Sequence, residues 1–343
     1  MNIKCIGAEI VLRSLSDKGV KILFGYPGGA TLPIYDELFK QKKIKHILVR
    51  HEQGAVHAAE GYARSSGNVG VLCVTSGPGA TNCVTGLADA YMDSIPLICL
   101  TGQVPTKLIG NDAFQEADTT GITRSITKHN YLIKNIKDLE KIINEAFYIA
   151  QSGRPGPVLI DLPKDILNEE YYYQSLNKKK ISHPNYKPQL EVDSNSIEKV
   201  VSLIVNSKKP IFYCGGGVIN SGKNACNILT KLIRKTGFPC TNTLMGLGCF
   251  PAIDKQFIGM LGMHGTYEAN LAMHDSDLII AVGSRFDDRV TGNLSKFSPY
   301  AKKIHIDIDP SSINKNVKVD IALIGDVEKI IKAIYLEIQK SNS

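Results

Sequence analysis

The feature that most constrains this chain is a series of short, uninterrupted apolar runs separated by segments of helical period. VGVLCVT (69–75), IPLICLTG (95–102) and PVLIDLP (157–163) show no alternation of polar and apolar positions. A strand with one wet face alternates, whereas a strand covered by helices on both faces does not. Runs of this kind therefore predict buried parallel strands in an α/β fold. VKILFG (20–25) and IKHILVR (44–50) extend the series, with helices expected near 53–66, 80–91 and 137–152.

Periodicity is lost from Glu169 to about Asn195, where EEYYYQSLNKKKISHPNYKPQLEVDSN mixes Tyr, Lys, Pro and Asn. The stretch reads as a linker. A second α/β series follows: a helix over 195–206, strand PIFYCGGG (210–217), a helix over 221–236, strands DLIIAVGS (277–284) and KIHIDID (303–309), and a helix over 326–338. The expectation is two doubly wound parallel-sheet domains, 1–168 and 195–343, joined by a linker at 169–194.

Composition narrows the function classes. The net charge of +7 comes from 40 Lys and Arg against 33 Asp and Glu, and apart from Lys178, Lys179 and Lys180 the lysines are scattered. No basic stripe with interleaved aromatics suggests nucleic acid, and no apolar run has membrane-spanning length. Ile3, Ile6, Ile10 and Leu15 predict an amphipathic helix almost from the first residue, leaving no room for a secretory or transit segment. The eight cysteines include no C-x-x-C pair, and Cys73 and Cys99 sit within apolar runs. They read as small buried hydrophobes in a reducing, cytosol-like compartment.

Glu52, in LVRHEQGAVHAAEGYAR, falls at the C-terminal end of an expected strand, the edge where open α/β sheets collect ligands. A carboxyl group there is partly desolvated, which suits it to proton transfer. The alternative is a helix-start Glu favoured by the macrodipole. Two glycine-rich loops flank it: FGYPGGA, with Gly25, Gly28 and Gly29, and TSGPGATN, with Gly77 and Gly79. They allow close backbone approach and offer N–H groups, but fit neither the dinucleotide nor the P-loop fingerprint.

The ordered set FGYPGGA, RHEQGAVHAAEGYAR, TSGPGATN, DAFQE, GRPGPVLIDLPKD, MLGMHG and GSRFDDRVTG resembles acetolactate synthase, also called acetohydroxyacid synthase. RHE-x-GA with GPG-x-x-N is shared by many thiamine-diphosphate enzymes. DAFQE, MLGMHG and RFDDRVTG narrow the resemblance to the acetolactate synthase branch and argue against a sister carboligase or pyruvate oxidase.

The resemblance implies that Glu52 hydrogen-bonds the aminopyrimidine of thiamine diphosphate, favouring the tautomer whose nitrogen removes the thiazolium C2 proton. It places Pro78 and Asn82 on the pyrimidine and Gly28 near the reacting carbon. Phe114 and Gln115 would border the substrate channel, with Lys164, Met263 and His264 near its entrance. Arg289 would recognise the carboxylate of the second 2-oxo acid; its alternative is a structural ion pair with Asp287 or Asp288. For Met263 the alternative is core packing.

The second domain would hold FAD, structural in this family. The matching positions are Gly215, Gly216 and Gly217, which could admit the pyrophosphate closely, Thr243, Leu244, Met245, Met263, His264, Gly283, Arg285, Asp287, Arg289, Asp307 and Asp309, with Arg154 from the first domain. Ser284 stands where the family usually has Ala. The implied substrates are pyruvate and 2-oxobutyrate, and the implied assembly is a homodimer or tetramer with a regulatory small subunit. The expected compartment is the bacterial cytoplasm, with a plastid as the alternative.

The family holds the diphosphate through Mg²⁺ on a Gly-Asp-Gly segment. Gly325-Asp326 is followed by Val327 and sixteen further residues, so the metal ligands and a C-terminal diphosphate-binding domain are expected to be absent. The isolated 343-residue chain is then expected to be inactive. A non-catalytic remnant or split subunit, binding FAD or a partner chain, is the second hypothesis.

Overall fold

The computed structural model describes residues 3–175, 183, 186–188 and 194–341, so Lys178–Lys180 lie outside the described residues. The chain divides into two compact units, Met1–Lys187 and Pro188–Ser343.

In the first unit the strands are β1 (Ile3–Ile6), β2 (Ile22–Tyr26), β3 (Lys45–Leu48), β4 (Gly70–Val74), β5 (Leu97–Gln103), β6 (His129–Leu132), β7 (Pro157–Pro163) and β8 (Glu170–Tyr173). Six form a sheet in the order β3-β2-β4-β5-β7-β6, parallel throughout. β4, β5 and β7 are buried at every position. Val71, Cys73, Ile98, Leu100, Val158 and Ile160 pack on one side, with the helices Gly7–Asp17 and Ile136–Gln151. Leu72, Val74, Leu97, Cys99 and Leu159 pack on the other, with Glu52–Ser66 and Val84–Met92. Two apolar coats explain why these runs do not alternate.

Two expectations change. The helix expected from Ile3 starts at Gly7, because Ile3–Ile6 pairs antiparallel with Glu170–Tyr173. The isoleucines and tyrosines of these segments are strong strand formers, and Cys5 and Tyr173 bury side by side with the core. The first residues of the expected linker are therefore part of the first unit. The boundary between the units falls at Lys187 and Pro188, inside the 169–194 segment.

The second unit contains β9 (Pro210–Cys214), β10 (Cys240–Asn242), β11 (Phe257–Met260), β12 (Leu278–Val282), β13 (Lys302–Asp307) and β14 (Ile321–Ile324), ordered β11-β10-β9-β12-β13-β14 and parallel. Helices Ser194–Asn206, Lys223–Thr236 and Val327–Ser341 coat one face. The eight cysteines are all free, and seven are buried. Among the described residues no helix is long and apolar enough to cross a membrane.

Each sheet has a strand pair at which its order reverses. In the first unit the chain leaves β2 for β3 on one side and returns to β4 on the other; in the second, β9 is followed by β10 and later by β12 on its opposite side. Beyond the carboxyl ends of such a strand pair a crevice opens between diverging loops.

Candidate active site

The β2/β4 crevice contains Glu52. His51 caps the following helix, its Nδ1 accepting from the Gln53 N–H at 3.1 Å, and Gly67 ends that helix with φ 71°. Glu52 thus occupies the first helical position, where the macrodipole favours a negative charge, and its side chain is buried. One carboxylate oxygen, Oε2, accepts from Asn82 Nδ2 at 2.9 Å. The other, Oε1, would lie 3.5 Å from a Cβ at Gly79. A side chain at Gly79 would stand beside the carboxylate; glycine leaves that side clear.

The two glycine-rich loops converge on the same place. A Cβ at Gly28 would lie 2.4 Å from Thr75 Cβ, and one at Gly79 would lie 2.8 Å from Thr75 Cγ2. Thr75 Oγ1 also accepts from the Ala30 N–H at 3.4 Å. Gly77, at φ 53°, packs on Gln115, whose carbonyl oxygen would be 2.5 Å from a Gly77 Cβ. Gln115 itself holds φ 55°, rare for a side chain of its size. Pro78 opens the turn Pro78–Thr81 that delivers Asn82. Glu52, Gly28, Gln115, Pro78 and Asn82 therefore form one neighbourhood.

Phe114 is 87% exposed on the same loop as Gln115. Lys164, half-buried, starts the short helix after β7. Two members were not singled out in the sequence, Thr75 and Tyr35. The Tyr35 hydroxyl donates to the Cys73 carbonyl at 2.9 Å, and burial, reinforced by the neighbouring Cys73, holds the phenol well above its usual titration range. Tyr35 lies on a helical apolar stripe with Ile34 and Leu38, so nothing in its spacing distinguishes it from core.

A planar heterocycle presenting a ring nitrogen fits this arrangement. The carboxyl group is held on one oxygen and clear on the other, with bare backbone at Gly28 and Gly79 beside it. The one group among the described residues able to share a metal ion is His57, Glu60 and Asp89, with His57 and Asp89 exposed. It runs along the helices 52–66 and 84–92 rather than at the carboxyl ends of β2 and β4, and does not fit a metal holding a diphosphate at the crevice.

In the second unit the β9/β12 crevice is filled by backbone. A Cβ at Gly215 would lie 2.3 Å from the Gly283 carbonyl oxygen, and one at Gly217 would lie 2.7 Å from Gly283 Cα. The Gly217 N–H donates to that carbonyl at 3.0 Å. Packing of the protein on itself therefore accounts for these two glycines, without a pyrophosphate. Gly216 faces Met245, 3.0 Å from its would-be Cβ. Thr243 caps the turn at Leu244–Gly246, and Leu244 is exposed.

MLGMHG packs on RFDDRV: the Met263 N–H donates to the Arg289 carbonyl at 2.8 Å, and Gly262 packs on the same peptide. Met263 is 64% exposed, so core packing is not its role. His264 is exposed too. Asp287 caps Asp288–Thr291 through its carboxylate rather than pairing with Arg289. Arg289 reaches Asp288 only at 3.9 Å, with both side chains solvated, a contact worth little. Arg285 is half-buried in this loop. Asp307 ends β13 and accepts from the Asp309 N–H at 2.9 Å, while Asp309 caps the turn Pro310–Ser312. Arg154 precedes β7, at the edge of its sheet opposite the Glu52 crevice, with Nε donating to Ser94 Oγ at 2.8 Å.

Residues 6–122 match the family of the thiamine pyrophosphate enzyme N-terminal TPP binding domain, and residues 197–334 match the thiamine pyrophosphate enzyme central domain. The chain belongs to the thiamine pyrophosphate enzymes. Among relatives, it is 52% identical over 334 residues to the acetolactate synthase large subunit of Buchnera aphidicola subsp. Schizaphis graminum, which covers 97% of this chain and 58% of the relative. It is 52% identical over 326 residues to the Escherichia coli acetolactate synthase isozyme 3 large subunit, covering 95% of this chain and 56% of the relative. Against the acetolactate synthase of Mycobacterium bovis the identity is 53% over 325 residues, 95% of this chain and 52% of the relative. The chain thus spans a little over half the length of the curated relatives it matches.

Proposed function

We propose that this chain contributes the pyrimidine-binding and central domains of an acetolactate synthase catalytic subunit. The reaction is decarboxylation of pyruvate and carboligation to a second 2-oxo acid, giving 2-acetolactate or, with 2-oxobutyrate, 2-aceto-2-hydroxybutyrate, in branched-chain amino-acid biosynthesis. The observation that carries this reading is the buried Glu52 carboxyl group, held by Asn82 on one oxygen and clear on the other beside Gly79.

Thiamine diphosphate, when bound, supplies the electron sink that lets a 2-oxo acid lose carbon dioxide and attack a second carbonyl. Glu52 holds or accepts the proton at a ring nitrogen of the aminopyrimidine, and Asn82 fixes the carboxylate for that exchange. Pro78 and the Gly28 loop bound the ring space. Gln115, Phe114 and Lys164 line the approach of the 2-oxo acids.

FAD, in a structural role, would lie along the loops carrying Gly216, Thr243–Met245, Met263, His264, Gly283–Arg289, Asp307 and Asp309. Leu244 and Met263 are exposed apolar groups that a ring system would cover. The Mg²⁺ that accompanies the diphosphate would take its ligands from outside the residues present here. The relatives named large subunits support a regulatory small subunit as partner, within a bacterial cytoplasmic homodimer or tetramer.

The test is acetolactate formation from pyruvate by the native protein purified from its source cells, with thiamine diphosphate, Mg²⁺ and FAD supplied. Activity that Glu52→Gln lowers roughly a hundredfold or more supports the reading. A folded, flavin-binding protein without activity favours the non-catalytic alternative.

A further inference from the structure

Asp161 is a carboxylate in the middle of a sheet, 1% exposed on β7. An unpaired charge there costs several kcal/mol, so its partners define what it does. β5 and β7 are in parallel register with Thr101 opposite Asp161. Leu97, Cys99, Thr101 and Gln103 share one face of β5, and the row turns from apolar to polar as it nears the carboxyl edge of the sheet. Thr101 Oγ1 donates to Asp161 Oδ1 at 2.7 Å and Gln103 Nε2 donates to Oδ2 at 2.9 Å. Both donors are buried.

Gln103 reaches further than its own strand. Its Nε2 also donates to the Ala117 carbonyl at 2.9 Å, and its Oε1 accepts from the Val104 N–H at 2.8 Å. It thereby clamps both ends of the segment 104–117, which carries Phe114 and Gln115. The segment has other ties. Thr106 bonds Asp165 through its N–H at 3.0 Å, and the Glu116 carboxylate closes the loop on itself by accepting from the Ala113 N–H at 2.9 Å. Neither reaches the sheet interior. Both Asp161 oxygens accept, one from Thr101 and one from Gln103, and this pairing turns the NH2 end of the Gln103 amide toward β7.

We propose that Asp161 is a positioning residue for the Glu52 crevice: through Gln103 it holds the segment 104–117 so that Gln115 seats on Gly77, the residue just before the turn that delivers Asn82. The link is side chain to side chain to backbone: Asp161, Gln103, Ala117, then Gln115 against Gly77, then Asn82 on Glu52. Asp161 touches neither Glu52 nor the space beside Gly79. Its effect on chemistry rests on the functional reading given above, while its effect on the loop does not. Burial pushes the Asp161 carboxyl up to about 7, with the Thr101 and Gln103 donors opposing and the Asp118 charge adding to the rise.

The test is residue-resolved amide hydrogen exchange on the full chain, comparing wild type with Asp161→Asn. The amide of the variant can keep its oxygen toward Gln103 Nε2 and turn its NH2 toward Thr101 Oγ1, but it removes the charged acceptor and so weakens the clamp. Expected is about tenfold faster exchange in 110–118 and 77–82, as when one hydrogen bond loses its charged partner, with 97–103 and 157–163 unchanged. Gln103→Met, which keeps the bulk and removes both donations, should reproduce the pattern and serves if Asp161→Asn does not fold. Unchanged exchange in 110–118 overturns the proposal, and so does faster exchange spread over β5 and β7, which would mean a purely structural role.

In the holoenzyme, the same variants should raise KM for pyruvate more than they lower kcat. Local loosening without that kinetic change leaves the clamp standing and removes Gln115 from the substrate path.

Discussion

The two units are both six-stranded parallel sheets with a switch point, and they use their switch points in opposite ways. In the first, the loops after β2 and β4 diverge around a buried carboxyl group, and the glycines at 28 and 79 face side chains, Thr75 and Glu52. In the second, the loops after β9 and β12 close on each other, and Gly215, Gly217 and Gly283 meet backbone. Glycine clears space in one crevice and fills it in the other. A side chain can rotate away from an added methyl group, whereas a backbone cannot, so the same substitution should have different consequences in the two units.

The largest expected effect follows from that difference. Gly283→Ala would force φ 56° on an alanine and put its Cβ 2.7 Å from Gly217 Cα. Strain and overpacking together should cost about 4 kcal/mol, read as a lowered denaturant midpoint. Gly79→Ala, with a normal backbone and the buried Thr75 methyl 2.8 Å from its Cβ, should cost about 1–2 kcal/mol while obstructing the space beside Glu52. Equal costs at the two positions would break the comparison.

Next is the pH dependence of the first unit. Asp161 titrates near 7 in the fold against an ordinary 3.8. Between these values the folded state keeps a proton that the unfolded chain has released. Stability should therefore fall as pH rises from about 4 to about 7 and level off above, by up to about 4 kcal/mol. Urea midpoints collected across that window should lose this component in Asp161→Asn.

Smaller still is Asn82→Ala, which removes the donor from Glu52 Oε2. A cost of about 1–2 kcal/mol is expected, again from denaturant midpoints, with a loss of activity that Asn82→Asp should not restore. The smallest concerns Ser284, whose buried hydroxyl makes no hydrogen bond of normal geometry among the described residues, the Tyr213 hydroxyl standing near it. Ser284→Ala should stabilise the second unit by roughly 1 kcal/mol, visible as a modest rise in thermal midpoint.

The central strands of both units were legible because burial on two faces leaves an unbroken apolar record. β6 (HNYL), β10 (CTN) and β14 (IALI) were not, because four residues or fewer, some half-exposed, leave no such record. β1 was misread because its isoleucines also fit a helical stripe, and only the tyrosines of β8, far along the chain, decide between the two.

At the site, the resemblance named Glu52, Asn82 and Gln115, and the fold brings them together. It could not show why Gly215 and Gly217 are glycine, since the reason is a backbone contact with Gly283. Nor could spacing reveal the Asp161–Gln103 clamp. In sequence, Asp161 is one polar residue in PVLIDLP, and its partners come from a neighbouring strand.

The most direct test of the Glu52 assignment is exchange of the thiazolium C2 proton of thiamine diphosphate bound to the holoenzyme, followed in deuterium oxide for wild type and Glu52→Gln. The account predicts exchange slowed roughly a hundredfold or more in the variant while the cofactor remains bound. Equal exchange rates with the cofactor bound in both proteins would contradict it.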